Sequence, residues 1–183
     1  MTAFVVYESE FGATRLIAEA IATGLGAYVP VELVNVHQVD TTDLSRDDLL
    51  VVGAPTHGRM LPSAASRSDA AAHSSADWRS HRLEPDPFAV GVREWLASLT
   101  VDATHCAAFT TRAHMARVLS GSAAPGILRR LKKAGGRAFA ESADFLVDKQ
   151  GELVVEELER ALDWGVALGA QLQQAYTPEA AWR

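Results

Sequence analysis

Three short runs in this 183-residue chain are apolar at consecutive rather than alternate positions, and that pattern constrains the fold more than any other feature. Ala3 to Tyr7, Leu49 to Val52 and Cys106 to Thr110 would each leave an apolar face in water if one side of their sheet were open. Strands of this kind are covered on both faces, as in a parallel sheet held between helical layers. Phe145 to Val147 reads as a further buried strand. Val29 to Val36 instead alternates, with Val31, Leu33 and Val36 separated by Glu32 and Asn35, and Pro30 stands near its start. That is the pattern of a half-exposed edge strand.

Helical spacing fills the intervals. Ala13, Leu16, Ile17, Ala20, Ile21 and Leu25 recur every three or four residues and stop at Gly26. Phe88, Val92, Trp95, Leu96 and Leu99 do the same, as do Ile127, Leu131 and Ala134. Leu158, Ala161, Gly165, Leu168 and Leu172 form a last amphipathic helix. The alternation predicts an α/β fold, a three-layer sandwich with helices on both faces of a parallel sheet. Residues 1–176 are expected to form one domain, with a long insertion loop at 55–87 and a C-terminal tail at 177–183. The loop has no apolar period and is rich in Ala, Ser, His and Arg, and loops of this length commonly serve as lids or binding loops.

With 48% hydrophobic residues the chain can bury a full core, and a net charge of −6 argues against nucleic acid or an anionic membrane surface as partner. The single cysteine, Cys106, excludes an internal disulfide. No apolar run approaches the ~18 residues of a membrane span. A strand begins at once, without a basic region followed by a long apolar segment, so a cytoplasmic location is expected.

The chemistry should lie where strands end. In an open parallel sheet ligands sit beyond the carboxyl ends of the strands, where strand order reverses. Three strand-end segments should meet there: Ser9 to Thr14, Pro55 to Gly58, and Thr110 to roughly Ser122. The first breaks a buried strand with Ser9-Glu10-Phe11-Gly12-Ala13-Thr14 and passes directly into a helix. Its helix start offers unpaired N–H groups and a positive dipole end, Ser9 and Thr14 add hydroxyls, and Gly12 permits close backbone approach. With no lysine and no set of three spaced glycines, it is neither a nucleoside-triphosphate loop nor a dinucleotide fingerprint. It suits a terminal monophosphate held by neutral donors, although the same residues also cap helices that bind nothing.

At these residues the chain resembles the flavodoxins. "SEFGAT" looks like their Ser/Thr-x-Thr-Gly-x-Thr phosphate loop, with Phe11 replacing the central hydroxyl residue, and "GAPTHG" (Gly53 to Gly58) looks like their second flavin loop. With its "PTH", "REWL" and "TR" landmarks the sequence is most similar to actinobacterial flavodoxin-domain proteins, and its first loop is similar to that of bacterial quinone-linked protoporphyrinogen dehydrogenases. The resemblance implies a five-stranded parallel sheet of order 2-1-3-4-5 and an FMN cofactor. It implies that Ser9, Glu10, Phe11, Gly12, Ala13 and Thr14 hold the phosphate, with the Glu10 side chain turned out to solvent. Pro55, Thr56, His57 and Gly58 would border the flavin ring on one side, and Thr110, Thr111 and Arg112 on the other. The Gly58 peptide could rotate to offer its carbonyl to the ring. The family's usual aromatic pair is missing, and Trp78 could fold over the ring in its place.

Ala103 to Ala140 holds no Asp or Glu but contains Arg112, Arg117, Arg129, Arg130, Lys132, Lys133 and Arg137. Cations at the third loop would stabilise negative charge on a reduced flavin. That favours electron transfer at a higher potential than in acidic carriers, with two-electron exchange with a quinone or other organic acceptor. The implied partners are a redox protein or a small organic acceptor, with a homodimer also open. A flavin-free interaction module on the same fold is the alternative. A phosphorelay receiver is excluded, because the third strand ends in Pro55-Thr56 where that domain needs an aspartate. Neither Ser9 nor Ser63 has a base and acid partner for hydrolysis, and His57, His73 and His81 are too irregularly spaced for a metal site to be expected.

Overall fold

The computed structural model describes residues 1–39, 44–76, 90–102 and 104–176. Six strands, β1 (Ala3–Tyr7), β2 (Val31–Asn35), β3 (Leu49–Pro55), β4 (His105–Ala113), β5 (Arg137–Ala138) and β6 (Ala143–Val147), all pair in parallel. The sheet runs β2-β1-β3-β4-β5, and β6 also pairs with β4. His105 and Cys106 take β5, and Phe109 to Ala113 take β6. The order is thus the expected 2-1-3-4-5, with the fifth lane divided between two short strands.

The apolar runs do lie between two helical layers. Phe4, Val6, Leu50 and Val52 point to one core with Val92, Trp95 and Leu96 of α3 (Val92–Ser98) and Ala124, Ile127 and Leu131 of α5 (Ala124–Lys133). Ala3, Val5, Leu49 and Val51 point to the other, against Ile17, Ile21 and Leu25 of α1 (Ala13–Leu25) and Ala161, Leu168 and Leu172 of α6 (Glu157–Tyr176). On this second face α1 and α6 approach so closely that a Cβ on Gly24 would lie 2.3 Å from the Leu162 carbonyl oxygen, and one on Gly165 would lie 2.3 Å from that of Ile21. No helix among the described residues is long and apolar enough to cross a membrane.

The region read from sequence as a long loop contains a helix, α2 (Ala64–Ala76). It carries no apolar stripe, which is why periodicity did not show it. Its start is capped by reciprocal bonds: the Ser63 N–H donates to Ser66 Oγ (2.9 Å) and the Ser66 N–H to Ser63 Oγ (3.2 Å). Its buried Arg67 donates to Glu8 Oε1 at the tip of β1 (3.4 Å) and to Glu94 Oε2 of α3 (3.1 Å). Glu8 also accepts from the Val92 N–H at 2.7 Å, which caps α3. Trp78 and the tail at 177–183 lie outside the described residues.

Replacing Gly24 by alanine should force α1 and α6 apart and cost about 1–3 kcal/mol. Gly126→Ala in α5, whose added Cβ would meet nothing nearer than 3.6 Å, should be neutral or stabilising by up to about 1 kcal/mol. Denaturant midpoints of the two variants check the contrast.

Candidate functional site

The tips of β1, β3, β4 and β6 and the start of α1 surround a cavity of about 210 Å³. Register places them there. Tyr7 pairs with Gly53 and Gly53 with Phe109, after which β3 continues to Pro55 and β4 to Ala113. The walls are Ser9, Glu10, Phe11, Ala13, Thr14, Pro55, Thr56, His57, Thr111 and Arg112, together with Ala113, Val147 and Gly151.

The change from strand to helix turns on Gly12, at φ 93°, a left-handed conformation that side chains other than glycine tolerate poorly. Its N–H donates to Ser9 Oγ (3.1 Å), so one loop amide is used within the protein while the Ser9 hydroxyl hydrogen stays available. The N–H groups of Ala13 and Thr14 open α1 and have no intrahelical carbonyl to reach. Thr14 Oγ1 and Thr111 Oγ1 lie 2.7 Å apart. That bond uses one hydroxyl hydrogen of the two and leaves the other to donate.

Thr110 is turned away. Its Oγ1 donates to the Ala54 carbonyl (2.6 Å) and meets Thr56 Oγ1 at 2.9 Å, and Thr56 Oγ1 accepts from the Ala123 N–H (3.0 Å). Thr110 therefore braces the wall from behind. Gly58 likewise lies off the cavity, in a tight turn where His57 and Met60 exchange backbone bonds of 2.9 and 3.0 Å. Gly58 (φ 51°) and Arg59 (φ 74°) are both left-handed, as a type I′ turn requires.

Glu10 does not face solvent, contrary to the expectation from sequence. It is 4% exposed and neither carboxyl oxygen has a hydrogen-bond partner among the described residues. His57 Nε2 lies 3.4 Å from Oε2. Burial, reinforced by the Glu8 charge and opposed by Arg67, pushes the Glu10 carboxyl up to about 8. Burial also lowers the His57 imidazole, with Arg67 adding to the effect and a Ser66 backbone bond opposing it. At neutral pH the pair is a carboxylic acid beside a neutral imidazole, and the loop carries no net negative charge from Glu10.

The arginines of the third loop are also less free than their sequence suggests. Arg112 Nε and Arg117 Nε both reach Asp144 Oδ2, at 2.9 and 3.0 Å. Arg112 Nη1 donates further to the Met115 carbonyl (2.9 Å) and to Ser120 Oγ (3.0 Å). Two cations share one carboxylate, so Asp144 offsets only one of them. Val147 and Gly151 lie at a fourth strand end, outside the three segments expected from sequence, while Asp144 comes in from near the start of β6 with no local signal. The rule that ligands lie beyond the carboxyl ends of strands would have included the end of β6 and its Asp148–Gly151 turn.

This is a doubly wound α/β protein whose crevice lies at the β1/β3 switch point of the sheet. A sequence model of the flavodoxin family matches residues 5–95, from β1 through most of α3, and the chain is flavodoxin-like in that segment and in its fold. It is similar to a flavodoxin from the domain Archaea, at 18% identity over 94% of this chain and 99% of that one, with a TM-score of 0.62. Oxidised Flavodoxin 2 from Bacillus cereus is similar at 18% identity over 93% and 99% of the two chains (TM-score 0.63). For oxidised Flavodoxin 1 from the same organism the values are 16%, 97% and 100% (TM-score 0.58). A search of curated proteins finds no match.

Because Glu10 binds a proton more tightly in the folded state than in the unfolded chain, folding takes up protons between about pH 4.5 and 8. Stability from this group is therefore full below pH 4.5 and is lost as pH rises towards 8, at no more than about 1.4 kcal/mol per pH unit. Glu10→Gln should flatten that decline and be the more stable protein above pH 8, as measured by urea unfolding across pH.

Proposed function

We propose that the chain is an FMN-binding electron-transfer protein and that the cavity at the strand tips is its cofactor site. The observation that carries this reading is the convergence of unpaired donors on one crevice: the α1 amides, the Ser9 hydroxyl and the Thr14–Thr111 pair, with a protonated carboxyl among them. These groups suit a phosphate monoester. Each presents or can present a hydrogen, and neutral Glu10 removes the repulsion that a carboxylate would impose.

In this reading Ser9, Glu10, Phe11, Gly12, Ala13 and Thr14 hold the phosphate. Pro55, Thr56 and His57 flank the ring on one side, and Thr111 and Arg112 on the other. Gly58 and Thr110 support these walls from outside the cavity. Bound FMN would supply one- and two-electron redox chemistry. The protein's part is to seat the ring at the strand tips and to set the charge around it. With Glu10 protonated and Arg112 and Arg117 sharing Asp144, the net field at the rim is positive. Such a field favours negative charge on the ring and so supports a potential above that of acid-rimmed carriers. That in turn supports two-electron exchange with a quinone or other organic acceptor, in keeping with the likeness of the first loop to protoporphyrinogen dehydrogenases.

The purified protein should be yellow with the two visible bands of flavin, or should acquire them on adding FMN. Thr14→Val should weaken FMN binding about 10-fold or more by removing a donor to a charged group. Fluorescence quenching on titration reads both. A colourless sample that takes up no FMN overturns the proposal in favour of a flavin-free interaction module.

A further inference from the structure

A second cavity, of about 230 Å³, lies on the far side of the His57–Met60 turn, between α3 and α5. The turn is a shared wall: His57 faces the first cavity and Met60 the second. Three guanidinium side chains line it, those of Arg93, Arg129 and Arg130, and no acidic residue among the described residues does. Its apolar lining is Met60, Leu61, Ala123 and Pro125.

Basic residues usually stand apart in solvent, and two of these three are held by the backbone instead. Arg93 Nε donates to the Pro62 carbonyl (2.7 Å) and Nη2 to that of Leu61, which pins the guanidinium at the cavity edge. Arg130 Nη1 donates to the Gly126 carbonyl (3.2 Å), one turn back along α5. No ion pair joins any of the three to a described carboxylate, whereas Arg67, Arg112 and Arg117 all have one. Burial lowers the affinity of Arg130 for its proton, and the charges of Arg93 and Arg129 lower it further. Three like charges with no counter-charge among the described residues repel one another, and an anion placed among them would relieve that repulsion. Guanidinium forks match phosphate oxygens in pairs.

We propose that this cavity is a second binding site, for a small organic molecule bearing a phosphate group. The phosphate lies among Arg93, Arg129 and Arg130, and the organic part packs on Met60, Leu61 and Pro125. The site does not depend on whether the first cavity holds flavin. If it does, the molecule bound here lies across one β-turn from it.

The probe is phenyl phosphate, compared with inorganic phosphate at low salt by calorimetric titration of the full chain. Because the loop before α1 could itself take a phosphate, both titrations are repeated on Thr14→Val and on protein saturated with FMN. Phenyl phosphate should bind at this site in all three samples, as a single site once FMN fills the first cavity, and more tightly than inorganic phosphate. The double variant Arg129→Gln/Arg130→Gln should weaken it at least 10-fold while leaving FMN titration unchanged. Arg129 is exposed and Arg130 half-buried, so the double variant should keep its fold, which circular dichroism checks. Binding that disappears in Thr14→Val or under FMN, that is unaffected by the double variant, or that is no tighter than inorganic phosphate overturns the proposal. So does an absence of heat, which would mean that a carboxylate of the chain already fills the site. Loss of FMN binding with phenyl phosphate binding intact counts against the flavin reading alone.

Discussion

Burial of β1, β3 and β4 on both faces is the constraint from which the rest follows. Alternate residues of each strand feed two separate cores, Val5 and Val51 on one side and Val6 and Val52 on the other. Slipping one strand by a residue would exchange every side chain between cores of different shape, so the register is held. A held register fixes where the strands stop, and the strand tips are the floor of the crevice. The hydroxyl pairs Thr14–Thr111 and Thr56–Thr110 then tie α1 to β4, and β3 to β4, at the point where the backbone ladder runs out.

Two carboxyl groups on either side of Ser9 show how the same side chain serves opposite ends. Glu8 is buried with partners. It accepts from Val92 and from Arg67, and so joins β1, α2 and α3. Glu10 is buried with none among the described residues beyond the imidazole at 3.4 Å. A buried polar group left unsatisfied costs about 1–3 kcal/mol, and a buried charge more, so Glu10 keeps its proton. Such a cost persists where a group is held ready for something outside the chain, and Glu10 lines the cavity.

Much of the architecture was legible from residue pattern. Ala3 to Tyr7, Leu49 to Val52 and the helix beginning at Ala13 fall where periodicity puts them, because their spacing reports burial directly. The alternation from Val29 to Val36 predicted an edge strand, and β2 within it (Val31–Asn35) lies at the sheet's edge. What escaped was structure held by something other than an apolar stripe. α2 is Ala- and Ser-rich and is anchored through Arg67, and its one local signal was the Ser63–Ser66 cap. The division of the last lane into β5 and β6 also has no period to reveal it. Ten of the thirteen residues expected at the site line one cavity, and Gly12, Gly58 and Thr110 stand just behind. Strand tips are predictable because they follow from strand ends.

Charge was not legible in that way. Sequence alone determined the sheet, its helical layers, and a glycine-hinged loop opening a helix at the first strand's end, since local spacing and backbone sterics decide these. The tertiary structure decided that Glu10 turns inward and keeps a proton. It also brought Asp144 between Arg112 and Arg117 from a distant strand, and it gathered Arg93, from another helix, with Arg129 and Arg130. The reason is physical: whether a side chain is apolar can be read from its own position in a pattern, but what a charge does depends on which groups from elsewhere in the chain come to surround it.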